Sequence, residues 1–228
     1  MKTQQRHTLC WLERSALEPI AAQVDNTFPH LPKPLRRELR DYLRSGKLPG
    51  IVRRGECDEG DIPLGFCFPN RWHGLRLRFA TTAPISAIID SSTPEQTAQL
   101  PVTDSSCATR AFNTLRQTWC WPELHLGIWG SVALEIMTPW QWTDNNSDLD
   151  IHLAPISLND LALCQTLLNN IEQKFQLRID GEIALSNGYT INIKEWFSRS
   201  PTLLAKSEQD VKLMTRQYVT ELSETSIN

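Results

Sequence analysis

Two short stretches of this chain carry residues whose types and spacing are suited to phosphate chemistry. Gly130-Ser131 lies where an apolar run ends and a helical pattern begins, and Asp148 and Asp150 flank Leu149 at the start of a predicted strand. Side chains two residues apart on a strand point to the same face, so we expect the two carboxylates side by side. Paired carboxylates hold Mg²⁺, and a glycine-serine turn at a helix start binds phosphate oxygens. Together these stretches predict phosphoryl or nucleotidyl transfer.

A third acidic element follows in the stretch 178–183. Asp180 is predicted to end one strand and Glu182 to begin the next, with Gly181 between them as a turn or a bulge. Either acid would add a third carboxylate, which helps to hold a second metal ion or deprotonates an attacking hydroxyl. Asp180 is the preferred candidate, and the choice between the two acids stays open. The competing interpretation is an ordinary solvated surface turn.

Alternating helical and extended patterns surround these residues. The predicted elements of the second half are a helix over 106–119 capped by Ser105 or Ser106, a strand over 124–129, a helix over 131–138, a strand over 148–153, a helix from about Ser157 to 174, strands over 175–180, 182–186 and 189–193, and a helix over 207–222. Asn187-Gly188 predicts a two-residue hairpin turn. This mixture predicts an α+β catalytic domain over 104–228, built on a mixed or largely antiparallel sheet.

The first part of the chain differs in charge and predicts a separate module. Residues 1–80 contain 14 Lys and Arg against 9 Asp and Glu, whereas the rest of the chain is acidic. An amphipathic helix over 35–43 and strands over 51–53, 62–68 and 75–79 predict a small α+β domain over 1–92. A polar, proline-containing linker over 90–106 would follow it. Its arginines predict either an anion-binding surface or a merely solvated one: Arg53, Arg54, Arg71, Arg76 and Arg78.

Composition excludes several classes of protein. The chain has 228 residues, of which 40% are hydrophobic and 21% charged, as in globular proteins. No apolar run approaches the roughly 18 residues of a membrane-spanning helix, and no signal peptide is recognisable, so we expect a cytoplasmic protein without membrane contact. The spacing of the cysteines and histidines predicts neither a zinc site nor a disulfide framework. A net charge of −3 without a long basic stripe argues against a nucleic-acid partner.

The order of these motifs resembles that of known transferases. A Gly-Ser turn before a helix, an Asp-x-Asp strand and a later acid are similar to the nucleotidyltransferase (polymerase-beta-like) fold. A closer resemblance, over nearly the whole chain, is to the phosphoribosyl-dephospho-CoA transferases of malonate decarboxylase, also called malonate decarboxylase holo-acyl-carrier-protein synthases. The matching stretches are Arg6-His7-x-Leu9-x-Trp11-Leu12, Val52-Arg53-Arg54, Trp129-Gly130-Ser131-x-Ala133-Leu134-Glu135, Ser147-Asp148-Leu149-Asp150-Ile151, Asp180-Gly181-Glu182-Ile183 and Leu203-Leu204-Ala205-Lys206.

The resemblance implies a defined reaction. The donor would be 2′-(5″-triphosphoribosyl)-3′-dephospho-CoA, the acceptor a serine of an apo acyl-carrier protein subunit, and the leaving group diphosphate. Catalysis is assigned to three acids: Asp148, Asp150 and Asp180. Asp148 and Asp150 would hold Mg²⁺ or Mn²⁺. Substrate binding is assigned to Gly130, Ser131 and Lys206, and either Lys206 or an arginine of the first domain would neutralise the leaving diphosphate. The first domain would bind the CoA moiety or the carrier.

Two alternatives to this reaction remain open from the sequence. One is a metal-dependent nucleotidyltransferase that acts on another acceptor, either a small molecule or another carrier protein. The other is an inactive relative that only docks on a decarboxylase complex. Two tryptophans in the segment before Asp148, Trp140 and Trp142, are candidates for stacking on an adenine ring, although tryptophans more often pack in a core.

Overall fold

The protein is described by a computed structural model that covers residues 5–122, 124–155, 159–207 and 210–224. These residues divide into two compact units. The first comprises the chain up to Thr93 together with Thr138–Gln141, and the second comprises Pro94–Met137 and the chain from Trp142 onward. The short stretch 138–141 therefore packs with the first unit, although its neighbours on both sides belong to the second. No described helix is long and apolar enough to cross a membrane.

The first unit combines an antiparallel sheet with three α-helices among its described residues. Its elements are β1 Leu9–Leu12, α1 Arg14–Ala22, α2 Val24–Thr27, α3 Lys33–Arg44, β2 Gly50–Val52, β3 Asp61–Trp72, β4 Leu75–Pro84 and β5 Ile88–Ser92. Its described strands pair in the order β4-β3-β2-β1-β5. The predicted amphipathic helix is confirmed, since Leu39 and Leu43 on α3 are buried. The alternating strand is confirmed as well, since Leu77 and Phe79 are buried and Arg78 is exposed.

The second unit is built on a mixed sheet. Its elements are α4 Pro94–Ala98, α5 Cys107–Thr118, β6 Leu124–Ile128, α6 Gly130–Met137, β7 Leu149–Pro155, α7 Asn159–Phe175, β8 Ile179–Ala184, β9 Thr190–Asn192, α8 Ile193–Phe197, β10 Thr202–Lys206, β11 Val211–Thr215 and α9 Arg216–Glu224. Its described strands lie in the order β6-β7-β8-β9-β10-β11. Neighbours are antiparallel except β7 and β8, which are parallel because α7 connects them as a crossover.

The two faces of this sheet differ in polarity. One face packs against α5 and α7 in a continuous apolar core that includes Leu149 and Ile151 of β7. Strand side chains alternate, so the opposite face of β7 and β8 carries the polar residues. We call this the polar face, and on these two strands it consists of Asp150, His152, Asp180 and Glu182. The sequence therefore places carboxylates and core residues alternately along the same strands.

Gly181 does not form the predicted turn. The structure has one continuous strand, β8, from Ile179 to Ala184, in place of the two predicted strands. A methyl group at Gly181 would lie 2.7 Å from Cγ2 of Ile193, so the glycine is needed for close packing and not for a change of direction. Asp180 and Glu182 consequently share the polar face of one strand.

The carboxyl-terminal part also differs from the prediction. In place of the predicted helix over 207–222, the helix α9 begins only at Arg216, after the hairpin of β10 and β11. Pairing between these strands outweighs the local helical pattern of the sequence. The Asn187-Gly188 hairpin is confirmed, although its loop has three residues: Gly188 N–H donates to the carbonyl of Leu185, whose own N–H donates to the carbonyl of Tyr189.

The segments before α5 and α7 complete the comparison with the predictions. The stretch 90–106 is not a linker throughout, because it contains the end of β5 and the helix α4. Ser106 is confirmed as the cap of α5: its hydroxyl accepts from the N–H of Thr109, and Thr109 Oγ1 accepts from the N–H of Ser106. Two starts are predicted for α7, near Asn159-Asp160 or with Ser157 as the cap: the helix begins at Asn159, and Ser157 lies outside the described residues.

Candidate active site

Three carboxylates and one guanidinium group occupy neighbouring positions where the parallel strands β7 and β8 begin. The strand register places Asp150 directly opposite Asp180. Two residues before this pair, Arg178 Nη2 lies 3.2 Å from Asp148 Oδ2, and both side chains are well exposed. Residues two apart on a strand share a face, so the four side chains form a block of two by two on the polar face. Asp148 and Asp150 are predicted to share one face of their strand, and the register adds Asp180 as a third acid beside Asp150.

Asp180 is better placed than Glu182 to join the first two carboxylates. Asp180 is half-buried and level with Asp150, whereas Glu182 is only 9% exposed and lies level with His152, two residues further along the strand. Two residues correspond to about 7 Å along a strand. Asn192 Nδ2 also donates a 2.8 Å hydrogen bond to Asp180 Oδ1. The register thus favours Asp180 as the third acid of this group.

Asn192 was not identified from the sequence, although its position carries a recognisable signal. It immediately precedes the helix α8, and its side-chain oxygen accepts from the N–H groups of Lys194 and Glu195. An asparagine before a short apolar-charged run is a common helix cap. Because its oxygen is held by the helix, its amide nitrogen is directed toward Asp180. The cap therefore fixes the side chain of this acid.

The turn at Gly130 lies against the carboxylate of Asp150. Gly130 has a φ of +66°, which favours glycine, and a Cβ at this position would collide with the Asp150 carboxylate, with its Cγ only 2.8 Å away. The N–H of Trp129 donates to the carbonyl of Asp150 at 3.1 Å, which fastens the turn to β7. Ser131 follows in the first turn of α6 and is half-buried. The structure thus brings the Gly-Ser turn and the Asp-x-Asp strand together.

Lys206, in contrast, is not brought to the aspartates. Lys206 pairs with Thr190 of β9, and Thr190 pairs with Ala184 of β8. Ala184 lies four residues beyond Asp180, which is about 13 Å along the strand, and β10 is two strands, or about 10 Å, from β8. A lysine side chain does not span this separation. The cation that the structure places at the aspartates is Arg178, for which the sequence motifs indicate no role.

Glu135 holds the segment that leads to Asp148. Its carboxylate accepts hydrogen bonds from the N–H of Trp142 at 2.9 Å, from the N–H and hydroxyl of Thr143 at 2.7 and 2.6 Å, and from the hydroxyl of Ser105. Burial alone would raise the pKa of Glu135, but these hydrogen bonds outweigh burial and hold the pKa below its usual range. The charged carboxylate therefore anchors the chain shortly before β7.

Comparison with known proteins identifies the family. Residues 97–217 match the model of the phosphoribosyl-dephospho-CoA transferase MdcG C-terminal domain, and residues 5–94 match the model of its N-terminal domain. The chain belongs to the phosphoribosyl-dephospho-CoA transferase family. It is therefore a transferase, and the resemblance inferred from its motifs is confirmed.

Curated relatives of this transferase cover almost its whole length. It is 29% identical over 223 residues to a phosphoribosyl-dephospho-CoA transferase of Xanthomonas euvesicatoria pv. vesicatoria, and the match spans 92% of this chain and 94% of the relative. It is 27% identical over 214 residues, with the same coverage of both chains, to a phosphoribosyl-dephospho-CoA transferase of Xanthomonas axonopodis pv. citri. No solved structure matches the chain significantly.

The acids of the transferase fit a magnesium ion that is shared with a phosphate ligand. In the described ranges no three His, Cys, Asp or Glu side chains are gathered closely enough to enclose a metal by themselves. Mg²⁺ is commonly held by only one or two carboxylates, and substrate phosphates and water complete its coordination. Asp148 is 41% exposed and Asp150 is half-buried, so both are accessible at an open edge of the sheet. Their oxygen chemistry and exposure suit such a shared site.

The expected role of the tryptophans is only partly compatible with the structure. Trp142 is 1% exposed, so the interpretation that it stacks on an adenine ring is wrong. Its backbone N–H is held by the carboxylate of Glu135. Trp140 is half-buried, and its ring lies 5.1 Å from the ring of Tyr42 in an edge-to-face arrangement within the first unit. Its contact with a substrate stays a prediction.

A buried histidine, His152, follows Asp150 two residues along β7 on the polar face. His152 Nδ1 is 2.8 Å from Oε1 of Glu95, and the His152 side chain is only 4% exposed. Glu95 reaches it because α4 lies directly on Gly127 of β6, where a Cβ would be 2.8 Å from that of Pro94. Neither Glu95 nor His152 was singled out from the sequence, because their contact depends on how α4 packs.

Proposed function

We propose that this transferase moves the phosphoribosyl-dephospho-CoA group from 2′-(5″-triphosphoribosyl)-3′-dephospho-CoA to a serine hydroxyl of the apo acyl-carrier subunit of malonate decarboxylase. The observation that carries the proposal is the alignment of Asp148, Asp150 and Asp180 beside the Gly130 turn, in a chain whose two halves match this family. We also propose a nucleotidyltransferase-like fold for the second unit. Its glycine turn, the helix α6 and the acidic strand β7 support that assignment.

The reaction is an exchange at one phosphorus atom. The serine oxygen forms a bond to the phosphorus next to the ribose, and the bond from that phosphorus to the next bridging oxygen breaks, so that diphosphate leaves. Asp180 accepts the serine proton, and its hydrogen bond from Asn192 keeps the carboxylate directed at the site. Such a displacement depends mainly on positioning and on neutralisation of charge.

The remaining residues bind the triphosphate. Asp148 and Asp150 would hold Mg²⁺ or Mn²⁺, which neutralises charge on the phosphate oxygens when it is bound. The N–H groups at the start of α6, near Gly130 and Ser131, would donate to phosphate oxygens bound at the helix terminus. Arg178 is paired with Asp148 across an exposed contact, which contributes at most about 1 kcal/mol. Its guanidinium can therefore leave Asp148 and bind the departing diphosphate.

The test is transfer to the carrier by the full-length protein. Apo carrier subunit, the triphosphoribosyl donor and Mg²⁺ are incubated with the wild-type protein, and the mass of the carrier is measured. We expect Asp148→Asn and Asp150→Asn to lower the rate at least about a thousandfold because they remove the metal-binding charges. Asp210→Asn is the matched control, since Asp210 lies on the exposed β10–β11 loop. Circular dichroism establishes that each variant is folded.

Three outcomes would overturn the proposal or redirect it. Full transfer by a folded Asp148→Asn/Asp150→Asn double variant would refute the assignment of the site. Rapid transfer from ATP, with none from the triphosphoribosyl donor, would indicate a nucleotidyltransferase with a different substrate. If the wild-type protein transfers neither group but binds the decarboxylase complex, it is an inactive docking protein.

A further inference from the structure

A group of basic side chains in the first unit surrounds a cavity that the active site does not include. Lys33, Arg36 and Arg40 line a cavity of about 320 Å³ together with a single acid, Asp25. Arg36 Nη1 lies 3.0 Å from Asp25 Oδ1, and Arg40 Nη1 lies 2.5 Å from Asp25 Oδ2. Three positive charges therefore face one negative charge, which leaves the cavity wall with an excess of positive charge.

Helix geometry explains why these cations converge. Residues 33, 36 and 40 are spaced three and four positions apart, so they lie along one side of α3. The apolar residues of the same helix, Leu39 and Leu43, are fully buried in the adjoining row. Asp25 comes from the first turn of α2 and reaches across to both arginines. The cluster is thus built by two helices and does not depend on a loop.

The arginines are held in place and partly removed from water. The side chains of Arg36 and Arg40 are only 19% and 22% exposed. Charged groups in such a setting interact with an anion more strongly than they do at an open surface. Ordering their side chains costs little on binding, because Asp25 already holds both guanidinium groups. These are the features of a preformed anion site.

Asp25 alone does not satisfy all the hydrogen-bond donors of Arg36 and Arg40. A guanidinium presents several N–H donors in one plane, and two of these groups compete here for one carboxylate. The Nε of Arg36 is buried and has no hydrogen-bond partner among the described residues. A phosphate oxygen in the cavity would accept from the outer edges of both guanidinium groups and from Lys33, and would let Arg36 turn to complete its donor set.

We propose that this cavity binds a phosphate or diphosphate group of the substrate or product. This inference rests on the proposed function, whose donor carries a second diphosphate in its dephospho-CoA part, apart from the reacting triphosphate. The volume of about 320 Å³ accommodates a diphosphate with its neighbouring sugar. Dephospho-CoA and the released inorganic diphosphate offer the same chemistry to the cavity, and they are the two possible sources of the ligand.

The test is calorimetric titration of the full-length protein with dephospho-CoA and, separately, with inorganic diphosphate. Excess EDTA is present, so that binding of either probe at the aspartates through a metal ion is suppressed. We expect Lys33→Gln and Arg40→Gln each to weaken binding of the recognised probe about tenfold or more, since each removes a charged contact to phosphate.

A matched control separates contact from net charge. Arg37→Gln removes the same charge from the same helix, but Arg37 is 80% exposed and does not line the cavity. We expect its affinity to stay within about twofold of the wild type. Lys33 belongs to neither ion pair of Asp25 in the structure, so Lys33→Gln tests the cavity without breaking the contact between α2 and α3.

The outcomes distinguish the two sources and the two proposals. Loss of dephospho-CoA binding in the cavity variants identifies the donor as the ligand, whereas loss of diphosphate binding alone identifies the released product. Equal effects of Lys33→Gln and Arg37→Gln, or no binding of either probe by the wild-type protein, would overturn the cavity site. Asp148→Asn/Asp150→Asn should abolish transfer and leave this metal-free binding intact, so failure of one proposal is visible separately from failure of the other.

Discussion

Gly130→Ala is expected to lower the activity of the transferase far more than its loss of stability explains. The φ of +66° places Gly130 in a conformation that disfavours other residues, and its Cβ would lie 2.8 Å from Cγ of Asp150 and closer still to the carboxylate oxygen. Ordinary contacts of a Cβ begin at about 3.4 Å. The Asp150 carboxyl group must therefore move by at least about 0.6 Å, or the turn must move away from β7.

Two effects of different size follow from this geometry. Backbone strain at a positive φ costs about 1–2 kcal/mol of unfolding free energy. If Asp150 binds the metal as proposed, displacement of its carboxylate by an appreciable part of 1 Å lowers the rate of a positioned reaction about a hundredfold. Activity should consequently fall far more than the small fraction of unfolded protein can explain.

Gly46→Ala provides the matched control. Gly46 has a φ of +67°, nearly the same as Gly130, but no atom lies within 4 Å of the position that its Cβ would take. Urea unfolding, followed by circular dichroism, should show a loss of about 1–2 kcal/mol in Gly46→Ala from backbone strain alone and at least that loss in Gly130→Ala, while transfer to the carrier by the folded protein falls only in Gly130→Ala. If Gly130→Ala transfers the group as fast as Gly46→Ala does, the contact with Asp150 is not required for catalysis.

Three further predictions concern residues around the site. Glu135→Ala should lower the free energy of unfolding by about 2–4 kcal/mol because it leaves the N–H groups of Trp142 and Thr143 without an acceptor. The pKa of Glu135 is lowered in the folded state, so its stabilisation is present above the ordinary glutamate pKa and is lost as the pH falls through the lowered value. A urea midpoint difference between wild type and Glu135→Gln that does not shrink on acidification would contradict this. Arg178→Ala should lower kcat/KM for the donor about tenfold or more, whereas Lys206→Ala should stay within about twofold, and the reverse order would contradict the register argument. Trp142→Ala should destabilise the protein by about 3–5 kcal/mol in urea unfolding, and unchanged stability would be incompatible with its burial.

The acidic strand could be predicted because its information is local. Asp148, Leu149 and Asp150 specify their own alternation, and the buried Ile151 and Leu153 that follow determine which face is apolar. The cap at Ser106 is local as well. Each of these features depends only on residues a few positions away along the chain. They can therefore be predicted without knowing which strand lies alongside.

Residues that reach the site from other elements could not be predicted in this way. Glu95 contacts His152 only because α4 lies on β6, and Asn192 contacts Asp180 only because β9 lies beside β8. The sequence signals the helix cap at Asn192 but not the strand neighbour that its amide group meets. Strand order and helix packing are non-local properties, so the local pattern carries no information about these contacts.

The cation of the site illustrates the same limit and leads to a physical choice between two residues. Arg178 precedes a strand and Lys206 ends one, both strands have similar apolar patterns, and the sequence offers no way to rank the two cations by distance. The parallel pairing of β7 and β8 puts Arg178 level with Asp148, two residues before Asp180. Lys206 pairs with Thr190 of β9, which in turn pairs with Ala184 at the other end of β8, so Lys206 lies far from Asp180. A phosphate held near Asp150 is therefore within reach of the arginine alone of these two cations. Of these two cations we therefore expect Arg178 to neutralise the leaving group, and the loss of activity on its removal tests that expectation.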